Sequence, residues 1–143
     1  MTQYGRHIPH SFMPRGKMTR QEAFNVVWRS FVIEKAPPSL DHESYCVYRG
    51  PNGEKCAVGL LIPDDLYRME FEGKSLRSIV CLDSTLRKMF SGDTLQLLLD
   101  MQSAHDDNCD LMGGEFNSAM KRDLMEIWDY FGLEIPEEEE VTQ

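Results

Sequence analysis

One stretch of the chain decides the fold class: Tyr45-Cys46-Val47-Tyr48-Arg49-Gly50-Pro51-Asn52-Gly53. Its first half is rich in aromatic and β-branched residues, which favour a strand, and the Gly-Pro-Asn-Gly sequence that follows favours a tight turn. Residues 54–58 are then expected to form the return strand of a β-hairpin, across which Cys46 and Cys56 come close to facing each other. The return segment also fits a second interpretation, because the apolar run 56–62 is equally suited to a buried helix that stops at Pro63.

Helical patterns flank this stretch on both sides. Thr19 and Glu22 have the spacing of a capping box, and they precede a predicted helix over about 20–35 that the Pro37-Pro38 pair ends. Caps and apolar spacing predict further helices downstream: short ones beginning at Asp64, Ser75 and Ser84, a longer one from 93 or 94 to about 106, and a final one over 115–131. We therefore predict the α+β class, as a mainly helical single domain with one β-hairpin.

The 143-residue chain carries a net charge of -9 that is unevenly distributed. Four basic residues and no acid precede residue 21, which gives +4, so residues 21–143 hold -13. We predict three parts: a basic flexible arm over 1–18, a single globular domain over 19–135 and an acidic tail over 136–143. The acidic body disfavours general nucleic-acid binding, which depends on Lys and Arg displacing counterions from phosphates.

No apolar run in the sequence suggests a membrane segment. The longest run, over 57–62, is far shorter than the ~20 residues that a membrane-spanning helix needs. The first residues also lack the basic segment and apolar region that together mark a secretory signal. We therefore expect a cytoplasmic protein without a membrane partner.

The four cysteines are expected to stay reduced in a cytoplasm. Thiolates and imidazoles are zinc ligands, and the best candidates for such a site are Cys46, Cys56 and His105. Structural zinc sites usually include two ligands that are two to four residues apart, and no two cysteines are that close in this chain. We therefore predict no metal ion and no cofactor, and we interpret the cysteines as small buried apolar residues.

Cys56, His105 and Asp106 supply the residue types of a catalytic cysteine, its base and the acid that orients the base. Adjacent residues on a helix point about 100° apart, so Asp106 is poorly placed to orient His105 unless the helix ends there. A His-Asp pair at a helix C-terminus also has a structural interpretation, because a protonated imidazole is favoured there by the helix dipole. The chain is therefore expected to be non-enzymatic, with these three residues as the catalytic set if it is an enzyme.

A second candidate site lies at the predicted turn. Arg49 and Lys55 flank the turn, and their two positive charges are suited to hold an anion. The alternative is that both are exposed cations at strand ends.

The segment from Cys46 to Tyr67 resembles a widespread group of small uncharacterised proteins of tailed phages and prophages. The resemblance rests on a Cys-x-Tyr-Arg-Gly turn, a Lys-Cys-Ala-x-Gly segment, an Ile-Pro-Asp stop, a Glu-Gly pair and a Gln-x-x-His-Asp helix end. In this chain these motifs begin at Cys46, Lys55, Ile62, Glu72 and Gln102. With the Gln21-Glu22-Ala23-Phe24 pattern of the first helix, the resemblance covers residues 20–107.

The resemblance implies a setting in an infected host but no particular reaction. It also implies that the shared residues meet, with the Cys56 segment packed on the end of the 94–106 helix around one polar pocket. The pocket residues would be Arg49, Gln102, His105 and Asp106.

We therefore expect a phage-encoded accessory protein of the host cytoplasm that binds and modulates or inhibits a host factor, such as a defence or nucleic-acid-processing protein. Two alternatives remain open. One is a small cysteine-dependent hydrolase that uses Cys56 and His105. The other is a sponge for an anionic nucleotide signal, with Arg49, Lys55 and Gln102 as the ligand-binding residues.

Overall fold

The computed structural model describes residues 16–136, and six α-helices make up most of that range. In chain order they are α1 Arg20–Trp28, α2 Ala57–Leu61, α3 Leu76–Leu82, α4 Ser84–Met89, α5 Asp93–Asn108 and α6 Gly114–Phe131. A π-helical turn, Arg29–Ile33, continues α1, and a 3-10 turn, Met69–Phe71, precedes α3. No helix between residues 16 and 136 is long and apolar enough to cross a membrane.

The predicted α+β class is wrong, because the described residues form an all-α fold without a sheet. The expected tight turn does form: Gly50 N–H donates to the Glu54 carbonyl at 2.8 Å, and Arg49 pairs with Lys55 in one isolated bridge. The pairing does not extend into two strands. The interpretation that the segment after Cys56 begins a buried helix is the correct one, since α2 starts at Ala57.

Two contacts prevent the hairpin from growing. The backbone N–H groups of Tyr48 and Arg49 donate to the carboxylate of Glu72 instead of to a neighbouring strand. On the opposite side of the turn, Cys56 becomes the N-cap of α2, and its sulfur accepts a hydrogen bond from Gly59 N–H at 3.3 Å. Backbone groups that would form a strand ladder are thereby used by a distant side chain and by a helix start.

The principal helices follow the sequence patterns closely. Thr19 and Glu22 form both hydrogen bonds of the predicted capping box. The predicted helix over 115–131 is confirmed within one residue, and Gly132 ends it in the left-handed conformation at φ 68°. The π turn after α1 is held from the opposite side of the core, because the Asn117 amide donates to the carbonyls of Phe31 and Ala36.

The core lies between α5 and α6 on one side and α1 with its π turn and α2 on the other. Its largest fully buried side chains are aromatic: Phe24, Trp28, Phe31, Phe71, Phe90 and Phe116. The rings of Phe31 and Phe116 meet edge to face with centroids 5.5 Å apart. This contact joins α6 to the π turn, and His105 near the end of α5 has ring contacts with both aromatic residues.

The predicted arm over 1–18 and tail over 136–143 lie mostly outside the described residues. The last residue of the predicted arm is part of the core: Met18 is buried, and its backbone bonds to Met89 and to the Thr94 hydroxyl. At the other end of the described range, Glu134 is held by two hydrogen bonds with the side chain of Gln21.

Candidate functional site

Glu72 is the centre of a hydrogen-bond network that joins Tyr48, Arg49 and Tyr67. Its carboxylate accepts hydrogen bonds from the backbone N–H groups of Tyr48 and Arg49, at 2.9 and 3.1 Å, and from the Tyr67 hydroxyl. Burial, and then the contact with Glu72, raises the pKa of Tyr67. The Glu-Gly motif therefore acts as an anchor for the Tyr-Arg-Gly turn, 23 residues earlier in the chain.

Arg49 caps the C-terminus of α2. Its guanidinium donates to the carbonyls of Gly59 and Ile62, at 3.3 and 2.6 Å, and forms an ion pair with Asp64 at 2.9 Å. The same group lies 4.7 Å from the centre of the Tyr67 ring. The Arg-Gly and Ile-Pro-Asp motifs are thus joined through one side chain, which satisfies carbonyls that the end of a helix leaves unpaired.

Lys55 meets Arg49 at the same carboxylate. Its ammonium lies 3.5 Å from Asp64, and the pKa of Lys55 is lowered by burial and by the charge of Arg49, against the opposing effect of Asp64. The predicted pair of cations therefore does come together. A carboxylate of the chain already lies between the two charges, so an external anion would have to compete with Asp64.

Cys56 is fully buried at the N-terminus of α2. Burial raises the pKa of its thiol to about 12, so the thiol stays protonated near neutral pH. A thiol is a poor nucleophile in that form. The geometry therefore gives no support to Cys56 as the nucleophile of a hydrolase.

This environment predicts slow alkylation of Cys56. Burial raises its pKa well above the ordinary value of 9.0, so its thiolate fraction near neutral pH is far below that of a cysteine with the ordinary pKa. Iodoacetamide on the native protein is expected to modify the exposed Cys81 and to leave Cys56 unmodified until denaturant is added. Peptide mass spectrometry measures both sites, and a Cys81→Ser variant is the control. Native alkylation of Cys56 at a rate near that of Cys81 would contradict the prediction.

His105 is completely buried, and its ring lies between Phe31 and Phe116. Its Nε2 accepts a hydrogen bond from the backbone N–H of Ser39 at 3.0 Å. A backbone amide only donates, so the proton of a neutral imidazole is on Nδ1, which donates to Asp106 Oδ1 at 3.0 Å. The expectation that adjacency keeps the two side chains apart is therefore wrong here.

Gln102 joins this pair to the Cys56 segment. Its side-chain oxygen accepts from Val58 N–H at 2.9 Å, near the start of α2, and its amide donates to Asp106 Oδ1 at 3.0 Å. The predicted packing of the Cys56 segment against the end of α5 is thus present. Arg49 is not part of this group, because its guanidinium binds the Gly59 and Ile62 carbonyls at the C-terminal end of α2.

The sequence interpretation missed a cysteine pair at the same place. The expectation that all four cysteines stay reduced is wrong for two of them, because Cys46 forms a disulfide with Cys109 rather than facing Cys56. Cys109 follows His105 by four residues, a spacing that brings two side chains to the same side of a helix, but nothing in the sequence pairs Cys109 with Cys46.

A ligand atom from each of Cys46, His105 and Asp106 lies within 4.8 Å of the others, a spacing that a metal ion can bridge. The hydrogen bonds of His105 oppose this use. One ring nitrogen carries the proton and the lone pair of the other faces Ser39 N–H, so neither is free to bind a metal.

Two surface depressions adjoin these residues. One is a cavity of about 390 Å³ that is lined in part by Cys46, Glu72, Lys74, Gln102 and Asp106. The other is a shallow groove of about 370 Å³ between α5 and α6, and its acidic lining consists of Asp100, Asp107, Asp123 and Glu126. We call the second one the acidic groove.

No protein-family model, curated protein or solved structure matches this chain.

Proposed function

We propose that this chain is a phage-encoded accessory protein without an enzymatic activity, which binds a basic surface of a host protein and modulates it. The observation that carries the proposal is the acidic groove. Four carboxylates line it, and neither Asp107 nor Glu126 forms an ion pair with another residue of the described range. Carboxylates without a partner in the chain are available to Lys and Arg side chains of another protein.

The other two acids of the groove are oriented by their own neighbours. Asp123 accepts a hydrogen bond from Asn108 at 2.7 Å, and Asp100 accepts one from Gln96 at 2.9 Å. Both helices that bear the groove are long and packed on the core, so the negative charges are displayed on a fixed surface. A rigid arrangement lowers the entropy cost of association.

The polar residues of the shared motifs stabilise the fold and do not form a catalytic site, which supports a binding role. Glu72 and Arg49 hold the turn and the end of α2, and His105 is packed between two aromatic rings. The only candidate nucleophile of the predicted catalytic set, Cys56, is buried and protonated. The phage setting comes from the motif resemblance over residues 20–107.

The proposal is tested by capturing host proteins on three immobilised forms of the chain. One form is wild type. The second neutralises the groove with Asp107→Asn and Glu126→Gln, and the third makes the same charge change elsewhere with Glu43→Gln and Glu70→Gln. We expect a host protein that is retained by the wild type and the third form, and lost from the second form and from the wild type in high salt.

Such a protein is then purified and its binding is measured directly by calorimetry. We expect the groove variant to bind at least about 10-fold more weakly than the wild type, which corresponds to the loss of two charge contacts. Retention that is equal on all three forms, or that is unchanged by salt, would refute the proposal.

A further inference from the structure

The two sulfurs of the Cys46–Cys109 disulfide differ in access. Cys46 is half-buried and lines the cavity of about 390 Å³, whereas Cys109 is only 8% exposed and its sulfur contacts the Asp106 carbonyl. We propose that this disulfide is a site of thiol–disulfide exchange, attacked at the Cys46 sulfur from the cavity by small thiols that are neutral or cationic. Cys109 is the leaving sulfur.

The charge around Cys46 selects the thiol. The Asp106 carboxylate has an oxygen within 4.8 Å of the Cys46 sulfur, and its side chain is 44% exposed. Glu72 and Lys74 also line the cavity, and their opposite charges offset each other. The remaining negative charge of Asp106 repels a thiol that bears a carboxylate and attracts one that bears an ammonium group.

The chain around the disulfide is held by other contacts. Cys46 lies in a turn closed by its bridge to Leu40 and by the hydrogen bond from Asp41 N–H to the Tyr45 carbonyl. On the other side, Asn108 bonds to the Ala104 carbonyl and to Asp123. Both sulfurs therefore stay near each other after reduction, so the bond forms again when an oxidised disulfide is supplied.

The exchange takes two steps and consumes two thiols. The first thiolate attacks the Cys46 sulfur, which forms a mixed disulfide and releases Cys109 as a thiolate that takes up the proton. The second thiol attacks the sulfur of the small molecule, which releases the Cys46 thiol and the oxidised small disulfide. The protein disulfide gains two electrons and two protons, and the two small thiols lose them.

The test uses a full-length Cys81→Ser background, in which no exposed free cysteine remains among the described residues. Cysteamine, which carries an ammonium group, and mercaptoacetate, which carries a carboxylate, are used as the thiols. The rate at which each thiol reduces the protein disulfide is divided by the rate at which the same thiol reduces a small neutral disulfide, which gives a corrected rate. We expect native reduction without unfolding and a corrected rate that is about 10-fold higher for cysteamine. Asp106→Asn is expected to bring this ratio close to 1, whereas the same change at the exposed Asp129 of α6, Asp129→Asn, leaves it unchanged.

A trapping experiment identifies the attacked sulfur. With Cys109→Ser, incubation with cystamine is expected to give a stable mixed disulfide at Cys46. With Cys46→Ser, Cys109 is expected to stay unmodified under the same conditions, and circular dichroism shows whether both variants are folded. Three results would overturn the proposal: reduction only in denaturant, an adduct at Cys109 equal to that at Cys46, or a rate ratio that Asp106→Asn does not change.

Discussion

Alanine at position 59 is expected to lower the free energy of unfolding by about 3 kcal/mol. A Cβ atom added to Gly59 would lie 2.1 Å from the carbonyl oxygen of Tyr48, and that oxygen already accepts a hydrogen bond from Cys56 N–H at 3.2 Å. The neighbour is backbone, so the clash is relieved only by moving α2 away from the turn. Overpacking of this kind costs about 1–3 kcal/mol or more, which exceeds the gain of up to ~1 kcal/mol in helix propensity.

Gly114→Ala is the matched control, since it also places alanine in a helix. No atom lies within 4 Å of a Cβ added at Gly114, so the variant is expected to be as stable as the wild type or slightly more stable. Urea denaturation followed by circular dichroism measures both variants. A Gly59→Ala protein with wild-type stability would show that α2 does not pack against the turn as described.

Loss of the Glu72 side chain is expected to have an effect of similar size. Glu72→Ala leaves the N–H groups of Tyr48 and Arg49 and the hydroxyl of Tyr67 without their acceptor. Unpaired groups in a partly buried site cost about 1–3 kcal/mol each when water cannot replace the acceptor. Because this site is only partly buried, we expect a total loss of about 3 kcal/mol in the free energy of unfolding.

Glu70→Ala is the control for Glu72→Ala. Glu70 lies in the same segment, but it is exposed and pairs with Arg68 at the surface, an interaction worth at most about 1 kcal/mol. Glu72→Gln provides a second comparison, because it keeps one acceptor oxygen and is expected to lose less stability than the alanine variant. Equal stability of the Glu70 and Glu72 alanine variants would show that the hydrogen bonds of Glu72 do not stabilise the fold as described.

Structural elements were predicted correctly from the sequence where the contacts that determine them lie within a few residues of each other. The helices at both ends of the described range were predictable, because the capping box at Thr19 and the C-terminal Gly132 act within a few residues. The failed hairpin has a non-local cause. The sequence of residues 45–49 has a high strand propensity, which is a local property. The backbone N–H groups of Tyr48 and Arg49 are nevertheless bound by Glu72, which lies more than 20 residues later in the chain.

The same distinction applies to the site. Contact between the Cys56 segment and Gln102 was anticipated, because the resemblance grouped those motifs together. The partner of Cys46 was not, since a long-range pair leaves no periodic signal in the sequence, and 63 residues separate Cys46 from Cys109. The buried setting of His105 was equally hidden, because it depends on rings from α6 and from the turn after α1.

The paired hydrogen bonds between Gln21 and Glu134 have a consequence for protein engineering. They hold the last described residues beside the first turn of α1, and Arg20 adds to the contact by lying 5.4 Å from the centre of the Phe131 ring. The two ends of the folded region are therefore neighbours in space. A short Gly-Ser linker would be enough to connect them, and new termini at the exposed tip of the turn, Pro51 to Gly53, would give a circularly permuted chain with the same helix packing.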